Sequence, residues 1–105
     1  MEILKETGKQ ITIFGHDYEV IMSLENLAKI QEALGPLEEL KLDFISIPVI
    51  MEILIGDYCD KHPEVERISS EDLRRGIGPS SLADLQKFIF SLLNPPELVE
   101  KAKNA

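Results

Sequence analysis

The sequence predicts a small α+β domain, mostly α: an N-terminal β-hairpin followed by four to five helices. Three observations carry that prediction. Residues 10–22, QITIFGHDYEVIM, alternate apolar and polar side chains on either side of a glycine. Beyond residue 22, apolar residues recur every three or four positions, and serines, glycines and prolines mark where such runs start and stop. The chain has 105 residues, 44% of them hydrophobic and 29% charged, which suits one folded domain over 1–105 and not a disordered chain.

The hairpin comes first. Gly15-His16 reads as a two-residue loop with glycine where a positive φ is needed. Phe14 would then face Asp17, Ile13 would pair with Tyr18 and Ile11 with Val20. Those pairs fall on one face, with Thr12 and Glu19 on the other.

The helical part spans 23–96. Ser23 is a candidate cap for a helix reaching Leu34, with Leu24, Leu27, Ile30 and Leu34 on one side and Glu25, Asn26, Lys29 and Glu32 on the other. Gly35-Pro36 stops it, because glycine accepts the backbone turn and proline cannot continue the helix. Residues 37–43 read as a short helical turn leading into a loop.

Ser46 is the expected cap of the next helix, which runs to Asp60 or Lys61, with Pro48 tolerated in its first turn. This helix contains the most apolar stretch of the chain, ISIPVIMEILIG (residues 45–56). Its polar positions reduce to one stripe of Glu52, Gly56 and Asp60, so it must be covered on several sides. Either it lies at the centre of the domain or one side meets another chain.

Ser69 with Asp72 has capping-box spacing and opens a short helix that Gly76-Ile77-Gly78-Pro79 ends. Ser81 with Asp84 repeats the spacing before a helix from Leu82 to Leu93. In that helix Leu82, Leu85, Ile89 and Leu92 form one face, and Phe88, Phe90 and Leu93 broaden it. Asn94-Pro95-Pro96 ends it, and the tail 97–105 is expected to fray.

Composition narrows the function. Eleven basic against nineteen acidic residues leave a net charge of -8, which argues against a nucleic-acid partner, since phosphate binding needs a basic face. The apolar run from Phe44 to Ile55 is shorter than the roughly 20 residues a membrane-spanning helix needs, so no membrane role is expected. A single cysteine permits no internal disulfide and fits a reducing cytoplasm, and the N-terminus shows no signal-peptide core.

Metal-ligand types cluster only at Cys59-Asp60-Lys61-His62, too few for a zinc site, and the bland reading is a helix end with a semi-buried thiol. Cys59 and His62, three apart, are close enough to touch, yet nothing resembles a nucleophile elbow or a phosphate-cradling glycine loop. No catalytic residue, metal or cofactor is therefore expected. The apolar excess is the remaining signal. Most of it must be core, and the edge left over points to self-association or partner binding through Ile47, Met51, Leu54, Phe90 and Leu93.

The order of these elements resembles a known family. A hairpin with Gly15-His-Asp-Tyr18 at its turn leads into LENLAKIQEALG (24–35), a strongly apolar helix, a capped SSEDL helix and a final apolar helix. In that order, over residues 9–96, the chain is similar to the tail assembly chaperones of long-tailed bacteriophages, prophages and gene transfer agents. After the apolar helix it reads GDYCDKHPEVER where the family pattern ends in glycine-leucine.

The resemblance implies a non-enzymatic protein of the bacterial host's cytoplasm, absent from the mature virion. Such a protein coats the tail tape measure protein until tail tube protein polymerises around it. A head-to-tail connector or tail completion protein is the alternative. An apolar face against the tape measure, with excess negative charge elsewhere, is compatible with keeping that long apolar partner in solution.

Overall fold

The computed structural model describes Ile3 and residues 7–93. The expected helix stop at 94–96 and the frayed tail at 97–105 lie outside the described residues. An antiparallel hairpin, β1 (Lys9–Ile13) and β2 (His16–Val20), is followed by four α-helices: α1 (Leu24–Leu34), α2 (Ser46–Lys61), α3 (Ser70–Gly76) and α4 (Pro79–Leu93). A 3-10 turn over Leu37–Glu39 links α1 to α2, the short helical turn expected there.

The hairpin differs from expectation in its register. Ile11 pairs with Tyr18 and Ile13 with His16, so the loop is Phe14-Gly15, one position earlier than the sequence suggested. Both loop residues have positive φ, 51° at Phe14 and 79° at Gly15, which is the requirement of a type I′ turn. That turn matches the strand twist, and it prevails although Phe14 must enter a region bulky residues avoid. Partners move by two residues, an even number, so the faces are unchanged. Ile13, Tyr18 and Val20 are buried on the inner face, while Thr12 donates to Asp17 across the outer one.

Helix α1 keeps its expected inner face at Leu27, Ile30 and Leu34 but departs from it in its first turn. Its cap is Ser23, whose hydroxyl accepts from the Asn26 N–H at 3.2 Å, as expected. However, Leu24 is 84% exposed and Asn26 is fully buried. The Asn26 amide donates to the Ile21 carbonyl at 2.8 Å and to Asp57 at 3.2 Å, tying α1 to the end of the hairpin and to α2. Those bonds explain why a polar side chain displaces a leucine from the inner face: a buried amide with partners is tolerated.

The cap of α2 is also not the expected one. Asp43 takes that role: its carboxylate accepts from the N–H groups of Ile45 and Ser46 at 2.9 and 2.8 Å. Ser46 is the reciprocal partner, its hydroxyl accepting from the Asp43 N–H at 3.0 Å and donating to the Lys41 carbonyl. The two residues form a capping box with the usual types reversed. Two backbone donors hold the Asp43 carboxyl below the ordinary carboxylate range.

Helix α2 is the centre of the domain, packed against α1, β2, α3 and α4. Ile47, Ile50, Met51, Leu54 and Ile55 have no exposure. Its polar stripe is roofed by the segment before α3: Glu52 accepts from the Ser70 N–H, Asp60 pairs with Arg67, and the Arg67 guanidinium lies over Gly56. The capping box of α3 forms as expected, with Ser69 and Asp72 bonded both ways at 3.1 and 3.3 Å. Helix α4 begins at Pro79, not at Leu82. Proline suits a first helical position, and the Leu82 N–H closes the first turn on the Gly78 carbonyl at 3.0 Å.

Candidate functional site

The structure corrects the sequence-based assignment of the partner-facing edge. Ile47, Met51 and Leu54 are completely buried in the folded monomer; Met51 and Leu54 belong to the core, whereas Ile47 lies at the base of the cleft described next. Apolar periodicity reports which positions avoid water. It does not report how many neighbours a helix has, and α2 has four. Phe90 is 60% exposed, and Leu93 is half-buried.

Two adjacent exposed apolar residues lie instead where α2 begins. Phe44 and Ile45 occupy the two positions after the Asp43 cap, on the outer side of the first turn, and are 69% and 61% exposed. A cleft of about 470 Å³ opens beside them, between the start of α2 and the elbow joining α3 to α4. Phe44, Pro48, Ile77, Pro79, Leu82 and Leu85 form its apolar walls, and Arg74 is its one charged lining residue. The elbow shapes it: the Ile77 N–H bonds the Leu73 carbonyl at 3.0 Å, and the fully buried Leu73 anchors that corner.

The floor is firm. Gln86 donates to the Leu42 carbonyl at 2.6 Å, pinning α4 to the segment that delivers Phe44. Leu82, Gln86 and Phe90 follow one another at four-residue intervals on α4. Phe90 lies two turns beyond Leu82, with the polar Gln86 between them. Leu24 and Ile3, the other strongly exposed apolar residues, are outside the cleft lining.

A second cleft, of about 440 Å³ at the hairpin tip, is mixed in character and is lined by Phe14, His16, Tyr18, Arg67, Asp72 and Arg75, among others. Its groups are occupied with structure. The Tyr18 hydroxyl donates to the Glu66 carbonyl at 3.0 Å, and burial pushes its ionisation above the ordinary tyrosine value. Arg75 pairs with Glu71 at 2.6 Å and Arg67 with Asp60.

Cys59 and His62, weighed above as a nucleophile and base, have different partners. Cys59 is buried with its thiol 3.8 Å from the Glu66 carbonyl, and burial raises its pKa, the reverse of activation. The His62 ring stacks on Tyr58 with centroids 4.2 Å apart, its Nδ1 3.1 Å from the Tyr58 carbonyl. Among the described residues no three His, Cys, Asp or Glu side chains converge as a metal site would need. No described helix is long and apolar enough to cross a membrane.

The arrangement suits binding more than bond-making. An apolar trough with firm walls and a single cation at its edge can desolvate an apolar side chain or helix face. Sequence reasoning missed Phe44 and Ile45. The available signal was Asp43 three residues before Ser46, which places 44 and 45 in an outward-facing first turn. No family model, curated protein or solved structure matches the chain.

Proposed function

We propose that this protein is a non-enzymatic phage tail assembly chaperone. It holds apolar helical segments of a tail tape measure protein until tail tube protein replaces it. The observation that carries the reading is the apolar cleft between the start of α2 and the α3–α4 elbow, lipped by the exposed Phe44, with the exposed Ile45 next to it in sequence. Exposed contiguous apolar surface of this kind is where another chain binds.

The rest of the molecule is consistent with that task. A net charge of -8 keeps a complex dispersed while the apolar cleft is covered. A tape measure repeats apolar helical surface along its length, so several copies could bind one partner and weak contacts would add through avidity. The order of elements, hairpin then helices around one apolar helix, supports the family resemblance on which this reading rests.

The test begins with the DNA downstream of the coding sequence. A long reading frame for a helical, apolar protein is the expected neighbour. Co-expressed with this chain, that protein should move from the insoluble to the soluble fraction and copurify. Phe44→Asp should abolish copurification while leaving the chaperone folded. A tape measure protein that stays insoluble in the presence of this chain would overturn the proposal.

A further inference from the structure

The charge at the edge of the cleft specifies what the occupant must carry. The chain has three arginines, Arg67, Arg74 and Arg75, in the company of nineteen acidic residues. Arg67 is paired with Asp60 and Arg75 with Glu71. Arg74 has neither an ion pair nor a side-chain hydrogen bond among the described residues. It is also the arginine that lines the apolar cleft, alongside Ile77 and Leu82.

In so acidic a protein, a guanidinium left over at the edge of an apolar trough is complementary to a carboxylate arriving with the occupant. Arginine suits that place: its stem covers apolar surface while its planar head offers paired donors to a carboxylate. We infer that the cleft takes an amphipathic helix of a partner protein that sets an acidic side chain against Arg74 beside its apolar anchors. The inference rests on the cleft being the partner site, and it adds the partner's charge pattern. A helix fits because its face presents apolar residues at three- and four-residue spacing, with a polar residue bordering them.

The probes are two synthetic amphipathic helices of about 18 residues, long enough to hold helical structure. Both carry the same leucine face and differ only in glutamate or lysine at its border. Each is titrated into the isotope-labelled full-length chain while backbone NMR resonances are followed. The glutamate peptide should shift Phe44, Ile77 and Leu82 and bind about five-fold tighter than the lysine peptide, the scale of one well-placed ion pair at a partly open site. Arg74→Glu should reverse the preference and Arg74→Gln should erase it. Arg74 is exposed, so both variants keep the fold.

Equal affinity for the two peptides, a preference unmoved by Arg74→Glu, or no shift at the cleft would overturn the inference. Shifts at the same residues that grow with protein concentration alone would assign the cleft to a second copy and overturn it as well. Capture of the tape measure protein without any charge preference would sink this inference and leave the chaperone reading standing. A clear preference without that capture would do the opposite.

Discussion

Replacing Leu54 with alanine tests whether the most apolar helix is core. Leu54 sits midway along α2 and has no exposure. Leucine-to-alanine changes in cores cost about 2–5 kcal/mol, depending on how far the surroundings collapse into the cavity. Collapse is limited here, because α2 is held by α1, β2, α3 and α4 together. The upper half of the range is therefore expected, about 3–5 kcal/mol. For a domain of this size each kcal/mol lowers Tm by about 4–8 °C, so a fall of at least about 12 °C should follow.

Since small domains have only about 5–15 kcal/mol of stability, the variant should be marginal. The assay is thermal and urea unfolding followed by far-UV circular dichroism. The comparison is Phe90→Ser on the exposed face of α4, expected within about 0.5 kcal/mol of the parent. If Leu54→Ala melts within a few degrees of the parent, α2 is not enclosed as described, and the original placement of Leu54 at an interface would regain its case.

Three further outcomes follow from particular contacts. Asp43 has a lowered pKa in the folded protein. Its contribution is thus full above the ordinary carboxylate pKa of about 4 and is lost as pH falls through the lower folded value. Asp43→Asn, which still caps, should flatten that acid limb in melts recorded across pH. Gly35 closes α1 at φ 92°, ψ -173° with open space where a Cβ would sit, so Gly35→Ala should cost about 1–3 kcal/mol from backbone strain alone, measured by urea unfolding. Asn26→Ala removes the donor to Ile21 and Asp57 and should cost about 1–3 kcal/mol in the same assay, with amide exchange speeding up in α1.

Much of the fold was legible in the sequence because periodicity and punctuation agree. The hairpin faces follow from alternation, and the Ser69–Asp72 box follows from spacing alone. The hairpin register was not legible. It depends on Phe14 accepting a positive φ, a cost set by turn geometry that composition does not display. The exposure of Leu24 in the first turn of α1 was not legible, because Asn26 is buried in its place through bonds to Ile21 and Asp57, groups five and thirty-one residues away.

The candidate site was legible only in part. Excess apolar character pointed to α2 and α4, which both contribute to the cleft, and Phe90 is exposed. Ile47, Met51 and Leu54 turned out to be core because tertiary neighbours enclose α2. Phe44 and Ile45 were hidden by a cap whose residue types are the reverse of the common pattern. Arg74 carries no local signal at all. Its meaning arises only once the α3–α4 elbow brings it beside Ile77 and Leu82.

The central claim is that the cleft beside Phe44 receives an apolar helical partner, and site-specific photo-crosslinking reads it directly. A photoreactive phenylalanine analogue at position 44, in cells that also express the proposed tape measure partner, should yield one dominant adduct. Mass spectrometry should map that adduct to apolar helical segments of the proposed partner. The same analogue at the exposed Leu24, outside the cleft, should yield little. Adducts at position 24 but not at 44, or adducts at 44 only with a second copy of this chain, would contradict the account.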